Sequence, residues 1–138
     1  MDYHVGRLID HIHLRVADLE RSRAFYRAVL AALGRELTYD GEKSFASDEL
    51  YVDAADDYVT RVHLAFQADG PEMVARFYEA ALAAGAKDNG TPGERPYHRG
   101  YYACFVLDPD GNNIEAVWHG PSTRSAASVV FHTPDEPA

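Results

Sequence analysis

The stretch "IDHIHLRVADLERSRAFYRAVLAALG", residues 9–34, decides how the whole chain is read. Its first half alternates. Ile12, Leu14 and Val16 fall on one side and Ile9, His11, His13 and Arg15 on the other, which predicts a half-buried strand from Ile9 to Val16. Both histidines share the polar side. Asp18 then stands where a side-chain oxygen can cap a helix, Leu19, Phe25, Val29, Leu30 and Leu33 recur near helical spacing, and Gly34 suits a left-handed stop.

The same order returns in "RVHLAFQADGPEMVARFYEAALAAG", residues 61–85. A strand from Arg61 to Gln67 leads into a helix with Pro71 at its first position, an apolar stripe of Met73, Val74, Phe77, Ala81 and Ala84, and a stop at Gly85. Asp69 to Gly85 spans the same interval as Asp18 to Gly34, so the chain reads as an internal duplication.

Short extended segments follow each helix: Glu36–Tyr39, Ser44–Phe45 and Glu49–Val52 in the first half, Tyr101–Leu107 and Asn113–Trp118 in the second. Each half therefore reads βαβββ, giving an α+β fold of two modules, about 7–58 and 59–119, within one domain over 1–119. In "DPDGNN", 108–113, Pro109 fixes φ and Gly111 is free to take a positive one, a hairpin turn between the last two strands. The Gly- and Pro-rich segment 88–100 is too irregular for a strand and reads as a surface loop over a site. The tail, 120–138, is polar apart from Val129–Phe131 and is either disordered or an added edge strand.

Composition narrows the classes of function. A chain of 138 residues with 46% hydrophobic residues can bury one real core. Its formal net charge of −9 and its lack of any basic block argue against nucleic acid or an anionic membrane as partner. The single cysteine, Cys104, cannot close an internal disulfide, and no apolar N-terminal run resembles a signal peptide or spanning helix, so a reducing cytoplasm is the expected location.

Three polar side chains interrupt the strands with purpose: His11 in the first strand, His63 in its repeat, and Glu115 between Ile114 and Ala116. Each alone is ordinary for a surface or satisfied residue. Together on strands that wrap one cleft they suit a divalent metal, because an ionised Glu in an apolar cleft costs several kcal/mol unless it is paired or coordinated.

On "DHIHLRVADLERSRAFY" (10–26), "HLAFQA" (63–68) and "FVLDPDGNNIEAVWH" (105–119), the chain resembles the vicinal oxygen chelate superfamily, which groups glyoxalase I, bleomycin-resistance proteins and extradiol dioxygenases. The resemblance implies two βαβββ modules curled around a cleft, usually paired in a homodimer, with a divalent ion (Fe, Mn, Ni, Zn or Co) held by His11, His63 and Glu115. His13 is the competing first-strand ligand and otherwise lines the same cleft as a substrate-binding residue. The further carboxylate of glyoxalase I has no clean match, since Leu50 holds its position between Glu49 and Asp53. Against ring-cleaving dioxygenases, His98 matches the expected proton-transfer histidine but Phe105 stands at the tyrosine position, with Tyr101 and Tyr102 offset from it. The resemblance thus implies isomerase or lyase chemistry on a small substrate with vicinal oxygens, His98 and Tyr102 serving as catalytic residues and Arg95, Tyr97 and Tyr101 binding substrate. The alternative is a metal-free binding protein of the bleomycin-resistance type.

Overall fold

The computed structural model describes residues 2–125 and 128–132. Module one runs β2 (Ile12–Val16), α1 (Leu19–Ala32), β3 (Tyr39–Asp40), β4 (Ser44–Ser47) and β5 (Leu50–Ala54). Module two repeats that order as β6 (His63–Gln67), α2 (Pro71–Ala83), β7 (Lys87–Glu94), β8 (Tyr102–Leu107) and β9 (Asn113–Trp118). The sheets are equivalent, ordered β2-β5-β4-β3 and β6-β9-β8-β7, with β2 parallel to β5 and β6 parallel to β9. In each module the first strand leaves through the helix and returns beside the last, so the duplication seen in sequence is a duplication of topology.

Both helices begin and end where local chemistry directs. The Asp18 carboxylate accepts the Arg21 amide at 3.1 Å, and Pro71 opens α2, where an amide proton would have no helical partner. Just past the helices, Gly34 and Gly85 adopt positive φ. The two helices pack on each other and on one face of each sheet. Leu14, Val16, Phe25, Phe45, Val52, Val74, Phe77, Val106 and Ile114 are all fully buried in one continuous core. Each such side chain contributes about 1.5–3 kcal/mol relative to exposure.

A polar pin crosses this core. Tyr26 of α1 donates its hydroxyl to Asp108 Oδ2 at 2.6 Å, while Asp108 Oδ1 accepts the amides of Asp110 and Asn112 at 2.9 Å each. Burial, reinforced by the Asp108 carboxylate, raises the Tyr26 phenol well above its ordinary value. The turn read as a simple hairpin also ties module two to module one: the Asp110 carboxylate accepts the amide of Ala17, just past β2, at 3.1 Å.

The structure alters three expectations and chooses between the two readings of the tail. The first strand starts at Ile12, leaving Ile9, Asp10 and His11 ahead of the sheet, and β3 is cut to Tyr39–Asp40. The supposed loop after Lys87 instead pairs through Glu94 with β8, with register shifts at Asp88, Gly90 and Gly93. It is the outer strand of its sheet, where bulges and Pro92 are tolerated because one edge needs no partner. At Gly90, φ is +152° and a Cβ would come 2.8 Å from the Phe105 ring, so only glycine fits there. Finally, Val129–His132 forms a strand, β10, which pairs antiparallel with an unanticipated β1 (Asp2–Val5), as Tyr3 stacks on Phe131 at 5.2 Å. Tail residues 126–127 and 133–138 lie outside the described residues.

Candidate functional site

Each sheet turns its other face away from the helices, and the polar residues collect there. On module two, Glu115 lies opposite Phe105 in β8 and Ala65 in β6. Alternation puts Ile114 and Ala116 in the core and leaves Glu115 on the open side, yet its side chain is only 2% exposed. Its oxygens are both engaged: Oε1 lies 2.8 Å from His63 Nε2, and Oε2 accepts the hydroxyl of Tyr101. His63 reaches it diagonally across β6 and β9, the spacing at which cross-strand side chains touch. His63 itself is 54% exposed, so the pair opens outward.

Tyr101 shares the face of Ala103 and Phe105, four residues along an alternating strand. Burial first, and the Glu115 hydrogen bond second, push its phenol up to about 12, so it remains a proton donor at neutral pH. The offset that counted against Tyr101 in the sequence is what brings its hydroxyl to the carboxylate. Tyr102 points the other way. It packs on the core side with Cys104 and Val106, which corrects the expectation that it faces the cleft, since adjacent strand residues face opposite sides.

Around this pair stand the other residues singled out from sequence. Arg95 lies 5.3 Å over the Phe105 ring and donates to the Thr91 carbonyl at 2.7 Å, which fixes it along β7. Tyr97 is 66% exposed and meets Tyr101 edge-on at 4.9 Å. His98 donates through Nδ1 to the Arg99 carbonyl at 2.9 Å and sets Nε2 at 2.8 Å from His119 Nδ1. His119 closes the stretch "FVLDPDGNNIEAVWH" just past β9. Continuing the alternation Glu115, Val117, His119 past the end of β9 is the signal that finds it.

The first-strand histidines belong to module one. His13 Nε2 is 2.6 Å from Asp53 Oδ1 and its ring meets Tyr51 at 4.9 Å. Asp53 is thereby engaged by His13, and Leu50 is buried in the core. His11 is exposed, with Nδ1 2.7 Å from Asp10 Oδ1. It lines two cavities. One, about 680 Å³, lies between the open face of module one and β1, with His13, Tyr39 and Tyr51. The other, about 530 Å³, runs between the modules past Leu33, Leu64 and Glu49, whose carboxyl burial holds above its ordinary range. His63 and Glu115 line neither cavity.

The donor chemistry, two imidazoles and a carboxylate, suits a divalent transition metal. Among the described residues of one chain, however, no three His, Cys, Asp or Glu side chains converge on a single point. His63 and Glu115 come together, and His11 does not join them.

The fold is shared with solved proteins. The family model for the Glyoxalase/Bleomycin resistance protein/Dioxygenase superfamily matches residues 8–116, and the chain belongs to that superfamily. A glyoxalase/bleomycin resistance protein from Albidiferax ferrireducens is 29% identical, with a TM-score of 0.69 over 80% of this chain and 98% of that one. A glyoxalase-related enzyme from Fulvimarina pelagi is 22% identical, with a TM-score of 0.69 over 94% of this chain and 100% of its own. A lactoylglutathione lyase from Agrobacterium tumefaciens is 22% identical, with a TM-score of 0.59 over 81% and 93% of the two chains. No functionally curated protein matches the chain. Among the described residues, no helix is long and apolar enough to cross a membrane.

Proposed function

We propose that the chain acts as a homodimeric, metal-dependent enzyme on a small substrate bearing two adjacent oxygens, with isomerase or lyase chemistry ahead of ring cleavage. The observation that carries this reading is Glu115, a nearly buried carboxylate held against the outward-facing His63. In the dimer, His11 of a second copy completes the set, with Glu49, which lines the same cavity, as a fourth donor. The bound ion would supply Lewis-acid polarisation of the two substrate oxygens. The protein's own contribution is to orient and to exclude water. Tyr101 holds Oε2 of Glu115 and thereby fixes the carboxylate plane, Phe105 stands opposite it across the strand pair, and Tyr97 offers ring surface to the substrate. Phe105, where a ring-cleaving relative would want a phenol, favours isomerisation or lyase chemistry over oxygen chemistry.

One observation favours a second reading. Both Glu115 oxygens already have hydrogen-bond partners, so the buried charge is compensated without an ion, as a metal-free small-molecule binding protein would need. Elemental mass spectrometry on protein purified without chelators or a metal-affinity column separates the two. The metal-dependent reading expects about one equivalent of a divalent transition metal per chain, lost in Glu115→Ala and in His63→Ala and retained in His13→Ala. Metal-free protein that still takes up none after reconstitution with each candidate ion would transfer the assignment to the binding protein.

A further inference from the structure

The loop before β8 is drawn unusually close to the end of β9. Gly100 sits at φ +93°, and a Cβ there would lie 3.0 Å from the His119 carbonyl oxygen. The approach brings two imidazoles together on the open side of module two: the ring centroids of His98 and His119 are 5.0 Å apart with planes inclined by only 17°, and the Tyr101 ring stands edge-on to both, at 5.3 and 5.1 Å.

Their protons follow from their partners. A carbonyl oxygen only accepts, so the contact from His98 Nδ1 to Arg99 places the proton on Nδ1 and leaves Nε2 with a lone pair. That lone pair faces His119 Nδ1 at 2.8 Å, which must then carry the proton. In the neutral pair the remaining nitrogen, His119 Nε2, is bare, and among the described residues no side chain or carbonyl bonds to it. His119 is exposed on the open side of module two, so its ring is not sealed from a ligand on that face.

We propose that His98 and His119 form an oriented imidazole relay whose free atom, His119 Nε2, accepts a hydrogen bond and then the proton from a hydroxyl carried on an apolar body. His98 is the positioning residue: by holding the Nδ1 proton of His119, it forces the tautomer that presents a base. When the hydroxyl gives up its proton, the substrate becomes an oxyanion and His119 an imidazolium, whose Nδ1–H bond to His98 strengthens. The inference rests on the proposed function only in placing a substrate on this face, and it does not require the ion.

The test uses the full-length chain labelled with ¹⁵N-histidine, without added metal, read by long-range proton–nitrogen correlation spectra. Expected are the Nδ1–H tautomer at both His98 and His119, and a shift of the His119 Nε2 resonance on titration with phenol but not with anisole, which has the same ring and no hydroxyl proton. His98→Gln, whose amide oxygen can accept from His119 Nδ1–H, should keep the tautomer and the phenol response, whereas His98→Phe should lose both. A proton found on His119 Nε2 in the parent protein, or a response to phenol no different from that to anisole, overturns the proposal. Metal content measured on the same preparations, before and after reconstitution with each candidate ion, keeps the two assignments apart: an ion bound without a phenol response removes the relay alone, and a phenol response in protein that takes up no ion on reconstitution removes the metal alone.

Discussion

At the scale of the residue, the site turns on how Glu115 tolerates burial. A carboxylate at 2% exposure is kept in place by two donors, so removing one exposes the cost of the other's isolation. Tyr101→Phe should therefore destabilise the chain by roughly 1–3 kcal/mol, the usual range for a lost hydrogen bond to a buried charged group, read as a lowered urea midpoint; an unchanged midpoint would mean that solvent already serves that oxygen. The same phenol has a pH signature. Its value is raised from 10.0 to about 12 in the folded chain, so its stabilising contribution is complete below pH 10 and is lost as the pH climbs through 12. Stability should fall over that alkaline window, and Tyr101→Phe should reduce the fall without removing it, because Tyr26 is displaced in the same direction. Unfolding midpoints measured at intervals from pH 9 to 12 check the sign. Alternation and repetition single out His63 and Glu115, which the structure brings together, and also His11, which it leaves apart beside Asp10. That Tyr101 rather than Tyr102 faces the carboxylate was not legible in the sequence, because the face is fixed by strand register, and the sequence left the start of β8 uncertain by one residue.

Among elements, the turn between β8 and β9 does more than reverse the chain. Asp108 collects the Tyr26 hydroxyl and two turn amides, so module two's hairpin is bonded into module one's helix. Tyr26→Phe should cost about 1–2 kcal/mol, with the loss appearing as a lower thermal midpoint of a still cooperative transition. Two separate transitions would show instead that the modules rely on this pin to unfold together. Strand β7 gives a second prediction. A methyl at Gly90 would meet the Phe105 ring at 2.8 Å on a backbone that disfavours side chains, whereas one at Gly34 meets nothing within 4 Å. Gly90→Ala should therefore destabilise more than Gly34→Ala, by about 1 kcal/mol or more, in paired denaturant titrations. The helices were legible to within a residue or two because caps and apolar spacing are local signals. Strand β7 was missed because its Gly and Pro content reads as a loop, and only a neighbouring edge makes it a strand.

For the whole molecule, what governs the site is where the two polar faces meet. In one chain the helices share a core, and His11 and the His63–Glu115 pair end on surfaces that do not converge. A working metal centre of the proposed kind therefore requires a second copy. Sedimentation equilibrium should give twice the 15.3 kDa chain mass, and a monomer at micromolar concentration that still binds one ion per chain would overturn the shared site. By itself the sequence determined the duplication, the two helices, the outward side of β2, β6 and β9, and the superfamily, because these follow from periodicity, caps and motifs carried within a few residues of one another. Only the tertiary structure decided that Tyr101 reaches Glu115, that Tyr26 bolts the turn to the opposite module, that His98 meets His119, and that His11 stands apart. The first three are contacts between residues distant along the chain and the fourth is the want of one, and all are set by sheet register and by how the modules pack, quantities that no local pattern encodes.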